Sequence, residues 1–308
     1  MPFTRFEHRS LREDFNPALL SALGSFGLKA QYVVEGFLSG IHRSPFYGFS
    51  SEFSDYRDYQ PGDDLRHLDW KLFARSDRLS IRRYTHETNL RLYLVCDTSA
   101  SMAYQGENAW ASKMEATRLI AAAISWLVLR QNDGVGAISL DEVDSTPDFV
   151  RPSQGRSQFG LMLGHLQRLE ARGTECMGGL LEHAKRLIAR RSMLVLISDF
   201  LEPAENLELP LKQLRHQGHE CLLIQVLDPD EIDFPFGGSR RFVDPETGEE
   251  RSTVGEAARA TYLERFGAFM RRQKSIFDAM ELSHIVMRTD ENPWNVLSSF
   301  LMEREKHR

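Results

Sequence analysis

Two apolar runs, Leu92-Tyr93-Leu94-Val95-Cys96 and Met193-Leu194-Val195-Leu196-Ile197-Ser198, each stop on a carboxylate, Asp97 and Asp199. A short run rich in Leu, Val and Ile that is bounded by polar residues and followed by a helical pattern reads as a buried strand. Strands buried on both faces belong to sheets covered by helices on each side. A carboxylate at the end of such a strand stands at the sheet's carboxyl edge, where open α/β folds bind their ligands. The first run continues Asp97-Thr98-Ser99-Ala100-Ser101, which spaces the oxygens of Asp97, Ser99 and Ser101 two residues apart. Hard oxygens of this kind suit Mg²⁺ (or Mn²⁺), which takes oxygen ligands and keeps water or a partner's oxygen in its remaining positions.

Gly173-Thr174 adds a hydroxyl in a turn before another helix. Taken singly, an Asp, Ser or Thr at a strand-to-helix junction is equally well a helix cap or a turn former. The whole order, Asp-x-Ser-x-Ser, then Thr, then Asp, resembles the metal-ion-dependent adhesion site of von Willebrand factor A domains. That resemblance implies that Ser99, Ser101 and Thr174 ligate a metal through hydroxyls, while Asp97 and Asp199 act directly or through water.

The rest of the chain fits a doubly wound, mostly parallel α/β sheet. Apolar spacing predicts one or two short helices between Pro17 and Ser39, broken by Gly24 and Gly27, then a long helix over Ala109 to Arg130. Val135 to Leu140 and Asp148 to Arg151 read as strands joined too closely for a parallel crossover, so they form an antiparallel edge. Helices are expected over Gly155 to Arg172, Met177 to Arg191 and Leu207 to Gln217, with a strand at Glu220 to Leu227. The acids of Asp228-Pro229-Asp230-Glu231 read as turn formers. Phe234 to Arg251 reads as an inserted hairpin with Asp244-Pro245-Glu246-Thr247-Gly248 at its tip. A helix over Gly255 to Met280, a strand at Ser283 to Met287 and a last helix from Pro293 complete the sheet. The expected division is an N-terminal packing segment, 1–89, and an α/β domain, 90–308, with the hairpin inserted at about 232–253.

Ahead of the metal strand lies a block in which aromatics alternate with charges of both signs, and a strand is expected at Leu79 to Tyr84. Arg57, Arg66 and Arg75 among Asp55, Asp58, Asp63, Asp64 and Asp69 can lock loops through planar, charge-assisted pairs without regular structure. Its pattern, Tyr56-Arg57-x-Tyr59-x-Pro61-Gly62-Asp63-Asp64-x-Arg66-x-x-Asp69-Trp70-x-x-x-Ala74-Arg75, followed by Asp97-x-Ser99-x-Ser101-Met102, is specific. It resembles a bacterial family of uncharacterised von Willebrand factor A-like proteins encoded beside MoxR-type AAA+ ATPases. The likeness covers roughly residues 40 to 300. It implies a partnership with such an ATPase and with an unidentified client protein.

Composition narrows the function further. A net charge of -6 gives no general pull toward nucleic acid or anionic lipid. Cys96, Cys176 and Cys221 lack CxxC spacing, which fits a reducing cytoplasm. No run approaches the ~20 apolar residues of a membrane-spanning helix, and Met1 to Asn16 has no apolar signal core. A cytoplasmic location without direct membrane insertion is expected. Phosphate-binding, dinucleotide-binding and nucleophile-elbow motifs are missing, and Ser99 stands where a phosphoaspartyl hydrolase has its second carboxylate.

The expected function is therefore non-enzymatic: a metal-dependent protein-binding adaptor that works with a MoxR-type AAA+ ATPase in chaperone-like assembly or activation of a client. Two alternatives stand beside it. One is a metal-dependent phosphoester hydrolase using Asp97 and Asp199. The other is a scaffold with a vestigial metal site whose working surface is the Arg and Asp block.

Overall fold

The computed structural model describes residues 20, 24–43, 56–58, 80–82, 90–140, 146–172 and 177–306. In chain order its elements are α1 (Phe26–Arg43), β1 (Tyr56–Asp58), β2 (Ser80–Arg82), β3 (Arg91–Cys96), α2 (Lys113–Arg130), β4 (Gly134–Leu140), β5 (Pro147–Ser153), α3 (Arg156–Arg168) and α4 (Met177–Leu187). They continue with β6 (Met193–Ser198), α5 (Ala204–His216), β7 (Glu220–Leu227), α6 (Pro229–Asp233), β8 (Ser239–Val243), β9 (Glu250–Val254), α7 (Gly255–Ala279), β10 (Ser283–Arg288) and α8 (Trp294–Lys306). The chain forms two units, 1–40 with 90–308, and 41–89.

In the smaller unit, β1 and β2 pair antiparallel, with Arg57 opposite Ile81. A strand pair thus takes up Tyr56–Asp58, where loops without regular structure were expected. The Pro-Gly-Asp-Asp part of the block lies outside the described residues.

The larger unit is built on a six-stranded sheet in the order β10-β7-β6-β3-β4-β5. Every neighbouring pair runs parallel except β4 with β5, which is antiparallel and leaves β5 at the edge. This is the expected von Willebrand factor A-like architecture, doubly wound with one antiparallel edge. Its strands are central and apolar: every residue from Leu92 to Cys96 and from Met193 to Ser198 is buried. On one side, Tyr93, Val95, Leu194 and Leu196 pack with Leu180 and Leu181 of α4, Leu207 and Leu211 of α5, and Phe277 of α7. Full burial of a Leu or Phe side chain contributes about 1.5–3 kcal/mol, so this layer holds the strand ends rigidly in place.

The strand order creates the site. After β3 the chain moves to one side, through β4 and β5, and then returns to the other side of β3 as β6. The crevice at such a reversal of winding is the ligand position of open α/β sheets. The β4–β5 ladder carries a bulge between Val135 and Ala137. A Cβ on Gly136, inside that bulge, would lie 2.3 Å from the Val150 carbonyl oxygen, so the close approach of the two backbones requires glycine.

Two sequence expectations are corrected. The helix after Gly24 runs for 18 residues, and Gly27 lies within it rather than breaking it, while Gly24 itself is not helical. A glycine in the first turn forgoes no complete set of helical bonds, and burial of Ala30, Val33, Val34 and Phe37 along one face outweighs its cost. The long central helix starts at Lys113 rather than Ala109, because Ser112 caps it by accepting from the Glu115 backbone N–H at 3.1 Å. Among the described residues no helix is long and apolar enough to cross a membrane.

Candidate metal centre

β3 and β6 are adjacent, with Cys96 in register with Ile197, so Asp97 and Asp199 follow neighbouring strand ends. The Asp97 backbone N–H donates to the Ile197 carbonyl at 3.0 Å, which carries the pairing one step past the strand. Asp97, Ser99 and Asp199 are all buried. The Asp97 carboxylate is held on both oxygens: the Ser99 backbone N–H donates to Oδ1 at 2.8 Å, and the Ser198 hydroxyl donates to Oδ2 at 2.5 Å. The turn after β3 is a short 3-10 helix, Ala100–Ala103, which brings the Ser99 and Ser101 Oγ atoms to 3.1 Å from each other.

These residues suit a small divalent cation. Two ligands on adjacent corners of a Mg²⁺ octahedron, each bound at about 2.1 Å, stand about 3.0 Å apart, which the two serine oxygens match. Burial, and then the charge of Asp199, push the Asp97 carboxyl up to about 7, against the opposing bonds from Ser198 and Ser99. Among the described residues no basic side chain pairs with Asp97. A buried acid pressed by a second acid is a site that a cation would relieve. Among the described residues no cluster of three or more His, Cys, Asp or Glu is arranged to hold a metal. The donors here are hydroxyls and two carboxylates, a hard-oxygen set that favours Mg²⁺ or Mn²⁺ over Zn²⁺.

Thr174 lies outside the described residues, but both flanks of its segment are anchored at the site. The Arg172 backbone N–H donates to the Thr98 carbonyl at 3.2 Å, and the Gly178 N–H donates to Glu202 Oε1 at 2.9 Å. Glu202 follows Asp199 by three residues. Between them Phe200 adopts φ 50°, a left-handed conformation that costs a non-glycine residue about 1–2 kcal/mol. It is fixed by Ser198 Oγ accepting the Phe200 N–H at 2.9 Å and by Gln273 Nε2 donating to the Phe200 carbonyl at 2.6 Å. Gln225 Nε2 likewise donates to the Asp199 carbonyl at 2.8 Å. Backbone strain held in this way clusters at functional sites.

A family model described as "Protein of unknown function DUF58" matches residues 55–275. The chain belongs to this family. The uncharacterized protein Rv1480 of Mycobacterium tuberculosis is 33% identical over 245 residues, which cover 78% of this chain and 75% of that one. An aerotolerance-related membrane protein from Bacteroides fragilis overlaps 70% of this DUF58 chain and 99% of its own, at 17% identity and a TM-score of 0.45. BatB from Bacteroides thetaiotaomicron covers 70% and 99%, at 12% identity and a TM-score of 0.42. At that level of likeness no property of either solved protein carries over to this one.

The DUF58 chain places further groups here that its sequence did not reveal. Lys113, at the start of α2 and 0% exposed, donates to Asp199 Oδ2 at 2.8 Å and to Glu231 Oε1 at 2.6 Å. Burial would lower the pKa of this amine, but Asp199 and Glu231 outweigh it and hold it raised. A lysine in the first turn opposes the helix dipole, and that was the available signal. Glu231 also accepts from the Asp228 N–H at 2.9 Å, closing a capping box on α6. The acids read as turn formers therefore do cap a short helix, while one of them reaches the site through Lys113.

Proposed function

We propose that this DUF58 chain is a metal-dependent protein-binding adaptor. Asp97, Ser99, Ser101, Thr174 and Asp199 would hold Mg²⁺ (or Mn²⁺), directly or through water, and the cation would complete its shell with an acidic side chain of another protein. The observation that carries this reading is the pair of serine hydroxyls 3.1 Å apart beside a buried carboxylate that has no basic partner among the described residues. Lys113 strengthens it: by binding one oxygen of Asp199 it lowers the negative charge that the protein offers to the metal. A cation served by neutral hydroxyls and a partly neutralised carboxylate stays electron-poor and attracts a further anion.

The partnership with a MoxR-type AAA+ ATPase in chaperone-like assembly or activation of a client, in the cytoplasm, rests on the resemblance of the Tyr56 to Arg75 block. The test is capture from native lysate on immobilised full-length protein, wild type against Asp97→Ala, in Mg²⁺ and in EDTA. The expected result is a MoxR-type ATPase and a client retained by the wild type in Mg²⁺, with the client lost in EDTA and in the folded variant. Equal capture of the client in EDTA would refute the metal-dependent reading.

A further inference from the structure

The fold treats the two acids of the cation site differently. Asp97 takes its hydrogen bonds from an amide and a hydroxyl, whereas Asp199 is given a full positive charge. Asp199 Oδ1 accepts the Leu201 N–H at 3.1 Å and Oδ2 takes the Lys113 ammonium at 2.8 Å, so the protein engages both oxygens. This ammonium group cannot swing out to water as that of a surface lysine does. Its side chain is 0% exposed, and the Lys113 backbone N–H donates at 3.1 Å to the Tyr104 carbonyl, while the Tyr104 N–H donates at 3.1 Å to the Ser101 carbonyl. Lys113 is thus tied through its backbone to the serine turn and through its tip to Asp199.

A second acid competes for the same ammonium group. Glu231 Oε1 accepts from it at 2.6 Å, and Glu231 Oε2 is fixed by the Asp228 N–H at 2.9 Å. The short helix α6 that carries Glu231 is itself anchored, because the Tyr262 hydroxyl donates to the Glu231 carbonyl at 2.7 Å and the Gly106 N–H donates to Asp228 Oδ2 at 2.8 Å. An ammonium group divides its charge-assisted bonds between the acids that face it, so Glu231 draws part of Lys113 away from Asp199. A divalent cation and an ammonium group drawn to one carboxylate repel each other, and salt screens buried charges little.

We infer that Lys113 is a built-in competitor of the cation for Asp199, and that Glu231 of α6 sets how strongly it competes. The inference rests on the reading of Asp97, Ser99 and Ser101 as residues that hold a divalent cation. With Glu231 in place, the ammonium group is shared and the ion can share Asp199 with it. A displacement of α6 takes Glu231 away, hands the whole ammonium group to Asp199 and weakens the hold on the ion. The affinity of the site is thereby governed by a residue that is not one of its ligands, at the end of a different strand.

The experiment is a Mn²⁺ titration of the full chain followed by water-proton relaxation, with the fold of each variant checked by circular dichroism. The proteins are wild type, Glu231→Gln, the double variant Lys113→Met with Glu231→Gln, and Asp97→Ala. The double variant removes one charge of each sign, so the net charge of the chain is unchanged and no buried glutamate is stranded. Glu231→Gln should bind Mn²⁺ about tenfold more weakly than wild type, and the double variant about tenfold more tightly. Opposite shifts are the signature of competition, since loss of mere structural support would weaken binding in both. Binding that is lost in Asp97→Ala but no tighter in the double variant than in wild type overturns the role of Lys113 and leaves the cation site standing. Unchanged or tighter binding by Glu231→Gln overturns the role of Glu231. No Mn²⁺ binding by wild type or double variant, or binding kept in full by Asp97→Ala, overturns the cation site and this inference together.

Discussion

Lys113 and Asp199 meet at 2.8 Å inside the protein, and the same ammonium group binds Glu231 at 2.6 Å. Removing one partner of a buried ion pair leaves uncompensated charge and typically costs about 3–5 kcal/mol. Lys113→Met strands both Asp199 and Glu231, so urea denaturation should show a loss of that order. Adding Glu231→Gln to Lys113→Met should recover part of it. A loss below about 1 kcal/mol, as for a surface pair, would mean that the ammonium group does not hold this network.

Ser198 is the next test, because its hydroxyl donates to Asp97 and accepts from the Phe200 N–H. Groups that orient a metal ligand from behind typically matter by about 10–100-fold in affinity. Ser198→Ala should weaken Mg²⁺ binding by that factor in calorimetry. The thermal stabilisation that wild type gains by mass action in excess Mg²⁺ should shift to correspondingly higher concentrations of the ion. Unchanged affinity would show that Asp97 needs no such support.

α1 packs so closely on α8 that a Cβ on Gly36 would lie 2.3 Å from Cζ2 of the buried Trp294 ring. The ring cannot retreat easily, since its Nε1–H donates to the Val33 carbonyl at 2.9 Å. Alanine's better helix propensity, worth about 1 kcal/mol, favours Gly36→Ala. Overpacking costs of about 1–3 kcal/mol oppose it and should win. Thermal melting should show a lower midpoint, and tryptophan fluorescence a red shift as the ring meets water. A higher midpoint would refute the contact.

His284 provides the pH dependence. Burial first, and then Lys274, depress its pKa from 6.5 to about 4, with Asp278 opposing, and its Nε2 lies 3.0 Å from Gln225 Oε1. Above the unfolded value of 6.5 the ring is neutral in both states and its contribution is intact. Between 6.5 and about 4 only the unfolded chain takes up the proton, so stability falls as pH falls through that window. Denaturation midpoints at about pH 7.5 and about pH 5 should therefore differ by less in His284→Gln than in wild type. An identical drop in both proteins would exclude His284 as its source.

The order of elements was legible because it rests on local patterns. The apolar runs ending at Asp97 and Asp199, and the short connection between β4 and β5, state their structure within a few residues. Gly27 misled because a glycine's local penalty was set against a burial that local spacing cannot weigh. Within the site, Asp97, Ser99 and Ser101 could be grouped from their spacing, and the hairpin could be seen as a hairpin. Nothing about Glu231 marked it out as the acid that shares Lys113 with Asp199.

By its sequence alone this protein specified buried strands, their helices and the oxygens at the strand tips, since periodicity and turn chemistry act over short distances. Tertiary structure decided which tips stand side by side, because parallel pairing joins segments separated by whole crossovers. It also decided that Lys113 meets Asp199 across 86 positions and Glu231 across 118. Charges interact through space, and their distances are set only when the chain has folded.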